Sequence, residues 1–145
     1  MKNQQFLNGI YQNTSTAIQS INDLYGKVKS ANLKKLLKKH EAGYNDMKCK
    51  CEQLANSLEI NLKDNNFFEK ARLWTSINFG TITDTSSRHL GEMMIIGTVI
   101  GIVNCYKLMS ENQQCNKEIY QLCTDLAKLE EDYFEELKQY LKAFA

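Results

Sequence analysis

The chain has 145 residues, 43% of them hydrophobic, which is enough to bury one sizeable core. Lys plus Arg number 18 against 17 Asp plus Glu, a formal net charge of +1, so the basic excess of a nucleic-acid binder is missing. Proline is absent, which fits long helices joined by short turns and argues against a loop-rich fold.

The five cysteines, Cys49, Cys51, Cys105, Cys115 and Cys123, form an odd set with no spaced disulfide framework. Met1 to Asn8 carries no basic-then-apolar signal pattern. The longest apolar run, Met93 to Val103, is broken by Thr98 and falls short of the ~20 residues that span a bilayer. The expectation is a protein of the reducing cytoplasm with no membrane segment. Frequent Asn, Lys and Ile suit an AT-rich bacterial genome.

In chain order, the apolar rhythm predicts a first helix from Asn3 to Lys29, with Leu7, Ile10, Thr14, Ala17, Ile21, Leu24 and Val28 on one stripe. Gly26 and Ser30-Ala31-Asn32 mark the turn, with Ser30 or Asn32 as the next cap. The second helix runs from Asn32 to Leu58, and its stripe of Leu33, Leu37, His40, Tyr44, Met47, Cys51, Leu54 and Leu58 holds two polar groups, His40 and Tyr44. Lys34, Lys35, Lys38 and Lys39 lie on the opposite, solvated face. Residues 59–85 read as a connection with an extra short helix, Phe67 to Asn78, inside it. Asp84 or Thr85 is expected to cap a third helix from Ser86 to Ser110. That helix is the most apolar element, so it is either central or in a subunit interface, and Gly97 and Gly101 are placed to admit a neighbouring helix. A fourth helix, Lys117 to Ala143, carries Ile119, Leu122, Leu126, Leu129, Tyr133 and Tyr140 in its stripe. The predicted fold is a single all-α domain over residues 1–145: hairpin one at 3–58, a crossover at 59–85 and hairpin two at 86–143.

Shifting the second helix by 89 residues onto the fourth matches Leu33 with Leu122, Leu37 with Leu126, Glu41 with Glu130 and Tyr44 with Tyr133. The leucine matches come with any two helices of this rhythm; the Glu-x-x-Tyr pairs do not. With these pairs the chain resembles the ferritin-like four-helix bundles, which join two helical hairpins by a crossover and aim a Glu and a Glu-x-x-His from each hairpin at two iron ions. Asn8-Gly9-Ile10-Tyr11 and His89-Leu90-Gly91-Glu92-Met93-Met94-Ile95-Ile96-Gly97 are similar to phrases of ferritin-like bundle proteins in bacterial genomes.

The resemblance implies a di-iron site that this sequence does not supply. Tyr44 and Tyr133 stand where the histidines belong, the first helix has no acid from Met1 to Asn22, and the third has none from Met93 to Ser110. Two hard cations need several anionic oxygens, so no metal and no cofactor are expected. The expected replacement is a closed polar network, with Glu41 accepting from Tyr133 and Glu130 from Tyr44. His40 is expected as a hydrogen-bonded core residue. The competing reading is a metal or redox site built from Glu41, Glu130, His40, Tyr44 and Tyr133.

Cys49 and Cys51, two apart on a helix, point to opposite sides and cannot share a metal; Cys51 reads as core and Cys49 as rim. His89 with Glu92 is explained by the helix dipole. No Cys-x-x-Cys, Gly-x-Ser-x-Gly, phosphate loop or zinc-protease motif is present, so hydrolase and nucleotide-binding readings have no support. The expectation is therefore a structural or interaction protein without catalysis that forms a dimer through an apolar helix face, with metal chemistry or an apolar ligand held inside the bundle as the alternatives.

Overall fold

A computed structural model describes residues 2–63 and 83–144, which hold four helices: α1 Lys2–Tyr25, α2 Ala31–Ser57, α3 Ser87–Glu111 and α4 Lys117–Lys142. The expected short helix at 67–78 lies outside the described residues. The fold is all-α, a four-helix bundle made of two hairpins.

Side-chain oxygens start three of the helices, satisfying backbone N–H groups that have no partner within the helix. Ser30 Oγ accepts from Leu33 N at 3.2 Å. Ser86 Oγ accepts from His89 N at 3.3 Å, so the cap of α3 is Ser86; the expected Asp84 instead accepts from Ser86 N one step earlier. Asn116 Oδ1 accepts from Glu118 N and Ile119 N. α1 stops at Tyr25, three residues before the apolar rhythm ends at Val28. Lys27 and Val28 close a turn onto Leu24 and Tyr25, and Val28 is buried from that turn, not from the helix. α2 ends with Glu59 at φ 57° and Ile60 N bonded to Ala55 O at 2.8 Å, the pattern in which a left-handed residue reverses the chain.

α1 packs on α2, α3 on α4, α1 on α3 and α2 on α4. Contacts fix the directions. Gly9 of α1 sits on Leu108 and Asn13 reaches Gly101 and Cys105, so α1 and α3 are antiparallel. Tyr44 meets Glu130 while Lys39 meets Glu136, so α2 and α4 are antiparallel. With both hairpins antiparallel as well, α2 and α3 run the same way on diagonal corners. The link between them starts at one end of the bundle and finishes at the other, a rise of about 37 Å at 1.5 Å per helical residue. Its first residues run beside α1: Asn8 Oδ1 accepts from Lys63 N at 2.9 Å, and Gln12 Nε2 donates to Lys63 O. These bonds explain why Asn8 and Gln12 are buried.

The core is the expected stripe of each helix, from Leu7, Ile10, Ile21 and Leu24 through Leu33, Leu37 and Cys51 to Ile119, Leu126 and Leu137. α3 differs from the rest. It is long and apolar enough to cross a bilayer by length and composition, although no eleven-residue run within it suggests so, and only 28% of that apolar window is buried. Its inward line is Leu90, Met94, Thr98, Gly101, Cys105 and Met109. On its outward side Ile96 (45% exposed), Val99 (38%), Val103 (59%) and Tyr106 (53%) face solvent.

Candidate functional site

Midway along the bundle, the four helices each contribute a polar group to one buried layer. At its centre is Glu130 of α4, 1% exposed. Tyr44 of α2 donates its hydroxyl to Glu130 Oε2 at 3.0 Å. Asn13 of α1 donates to Glu130 Oε1 at 3.3 Å and also to Gly101 O at 3.1 Å. Cys105 of α3 donates to Glu130 Oε1 at 3.5 Å.

The carboxyl fits because Gly101 has no side chain. A Cβ there would collide with Glu130 Oε2. Gly101 and Gly97 were expected to share one helix-admitting face. Instead Gly101 is filled from within by Glu130, and a Cβ at Gly97 would meet only open space. Residues four apart on a helix are offset by about 40°, and this pair straddles the edge of the buried face.

Burial governs the electrostatics. It pushes the Glu130 carboxyl up from 4.5 to about 8, against the three donors that favour its charged form, so the layer is neutral at pH 7. Burial, followed by the neighbouring Glu130, holds the Tyr44 phenol well above its usual range. The Cys105 thiol is raised first by its hydrogen bond with Cys123 and then by burial.

The predicted site residues separate into three places. Glu130 and Tyr44 form the expected pair. Glu41 does not reach Tyr133; it lies partly exposed at the bundle surface, 3.4 Å from Lys38 Nζ. One residue beyond His40, it is turned about 100° off the buried stripe of α2, whereas Glu130 lies on the stripe of α4, so the 89-residue repeat aligns the tyrosines but not the acids. Tyr133 packs its ring edge-on to Tyr44 at 5.4 Å between centroids, and its hydroxyl fills the space over Gly43.

His40 is buried, but it is not the hydrogen-bonded core residue expected. Its ring stacks on Tyr133 at 3.7 Å with 15° between planes, and among the described residues Nε2 has no hydrogen-bond partner. Glu136 Oε1 is 3.7 Å from it, while Glu136 Oε2 accepts from Lys39 at 2.7 Å. Burial lowers the imidazole from 6.5 to about 4, so it is neutral at pH 7.

The di-iron centre implied by the ferritin-like resemblance does not fit these donors. Where it would need four carboxylates and two imidazoles, the layer offers one neutral carboxylic acid, a phenol, an amide and a thiol. Among the described residues no group of three or more His, Cys, Asp or Glu is arranged to hold a metal ion.

Asn13, Gly101 and Cys105 were not singled out from the sequence as partners of Glu130. Their signal was present in part: Asn13 follows Ile10 by three and precedes Ala17 by four, and Gly101 and Cys105 are one turn apart on the inward line of α3. Cys51 is buried and Cys49 exposed, as their two-residue spacing implies. His89 Nδ1 lies 3.5 Å from Glu92 in an exposed pair that Arg88 also joins. A groove between α2 and α4, lined by Lys50, Leu54, Glu118 and Asp125 among others, is open to solvent, unlike the enclosed apolar space a lipid-like ligand needs. Comparison with protein-family models, curated proteins and solved structures gives no match to this chain.

Proposed function

We propose that this chain is a ferritin-like bundle that has exchanged its metal site for a hydrogen-bonded layer and works without catalysis, by associating with protein and first of all with a second copy of itself. The observation that carries this reading is the outward face of α3. Ile96, Val99, Val103 and Tyr106 follow one another at steps of three, four and three and stand exposed in a single line. A contiguous apolar stripe of this kind on a bundle marks a surface that is covered in use. Paired two-fold with itself, the stripe makes an isologous interface. Set antiparallel, Val99 comes opposite the partner's Val103, and Ile96 opposite the partner's Tyr106.

The ferritin-like part of the reading is supported by the hairpin, crossover and hairpin layout and by a polar layer that draws one residue from each helix. Five free cysteines, three of them buried, suit a reducing cytoplasm. A metal or redox function through Glu41 and Glu130 gains no support, because one acid is at the surface and the other is in the core.

Sedimentation velocity over a wide concentration range tests the reading. The wild type dimerises, and Val103→Lys shifts it to monomer while changing stability by no more than about 0.5 kcal/mol, as exposed positions do. A wild type that stays monomeric at every concentration, or a dimer that Val103→Lys leaves intact, overturns it. Partition of the wild type into lipid vesicles through α3 would replace it with a membrane role.

A further inference from the structure

The pair formed by His40 and Glu136 is not absorbed by the association reading and stands independently of it. The His40 ring is held on three counts: it is 1% exposed, it lies flat against Tyr133, and α2 fixes its backbone. A buried ring nitrogen without a partner costs about 1–3 kcal/mol, so it is retained where something else satisfies it. Glu136 Oε1 lies 3.7 Å away, beyond hydrogen-bond range.

That separation suits a shared ion. Donors each about 2.0–2.2 Å from a zinc ion stand about 3.3–3.7 Å apart over bond angles from tetrahedral to slightly wider. A water bonded to both at about 2.8 Å would instead hold them about 4.6 Å apart at its preferred angle. The chemistry agrees with the distance. Burial keeps the imidazole neutral, so Nε2 can offer a lone pair, and the carboxylate opposite supplies the charge. Lys39 Nζ occupies Glu136 Oε2 at 2.7 Å and leaves Oε1 toward His40. Glu136 is 28% exposed, so water reaches the remaining coordination positions. Among the described residues no third His, Cys, Asp or Glu completes a cage, which makes the site open, with at least two positions for water.

We propose that His40 Nε2 and Glu136 Oε1 bind one divalent zinc ion between α2 and α4, with water completing its shell. Tyr133 is the positioning residue: its ring fixes the plane of the imidazole without touching the ion.

The test is calorimetric titration of Zn2+ into the metal-free full-length chain, alongside the nitrogen chemical shifts of its two histidines. One equivalent binds, and the His40 Nε2 resonance moves. His40→Gln and Glu136→Gln each weaken binding at least about tenfold. Glu136→Gln lies at the surface and keeps the fold, so the conclusion does not depend on His40→Gln folding. His89→Gln is the control, because the exposed His89 and Glu92 pair has a similar 3.5 Å spacing but nothing that fixes the ring. The proposal is overturned if zinc does not bind, if Glu136→Gln binds as tightly as wild type, or if His89→Gln removes the binding.

Discussion

Replacing Glu130 by Gln tests whether the polar layer is neutral. Glutamine keeps the shape of the acid and cannot ionise, and its single oxygen can accept from Tyr44 or from Asn13 but not from both. In the wild type the folded-state pKa of about 8 lies above the ordinary value of 4.5. The stability tied to this proton is therefore fully present below about 4.5 and is lost as pH rises through about 8. At about 1.4 kcal/mol per tenfold change in ionisation, the interval amounts to roughly 5 kcal/mol, a large part of the 5–15 kcal/mol that holds a typical domain together. Urea unfolding at a series of pH values between 5 and about 8.5 measures it, and with a slope of about 2 kcal/mol per molar the wild-type midpoint falls by about 2 M or more. His40 acts in the opposite sense: its folded value of about 4 lies below 6.5, so its contribution is present above 6.5 and lost as pH falls through about 4. His40 is common to both proteins, so the difference between wild type and Glu130→Gln isolates Glu130. Parallel stability curves for the two would refute the claim that burial outweighs the three hydrogen bonds and keeps this acid protonated.

Three further outcomes follow from the same packing. Gly101→Ala destabilises by about 1–3 kcal/mol because its Cβ enters the space of the Glu130 carboxyl, while Gly97→Ala, which meets nothing within 4 Å, stabilises by up to about 1 kcal/mol; urea midpoints of the two variants check the contrast. In a thiol titration of the native protein Cys49 reacts first and Cys51, Cys105 and Cys123 wait for unfolding, since burial pushes the Cys51 thiol up to about 12 and Cys105 is raised by its bond with Cys123; fast reaction of a buried thiol would contradict the core described. Glu59→Gly stabilises by up to about 1 kcal/mol, because Glu59 holds φ 57° at the end of α2, where only glycine avoids a steric cost; a loss of thermal stability would argue against that turn.

Residue order alone placed the four helices to within a few residues at most ends, the buried stripe of each, and the meeting of Tyr44 with Glu130. It could do so because the helical period fixes where each side chain points relative to its own helix, and because an apolar stripe must be buried. The lack of first-helix acids was legible in the same way, since a missing residue needs no fold to be counted. Which stripes meet at which level is set by the packing of the helices against one another. Asn13, Gly101 and Cys105 are 25 to 117 residues from Glu130 in the chain, yet one cross-section joins them, and nothing in the period of any single helix sets that level. A turn of about 100° separates Glu41 from the stripe that His40 occupies, and this small angle moves an acid from the core to a lysine at the surface. The apolar surplus of α3 was visible as composition. That its outer half stays uncovered depends on how many neighbours four helices provide: each sits at a corner, packs inward, and leaves its far side to solvent or to another chain.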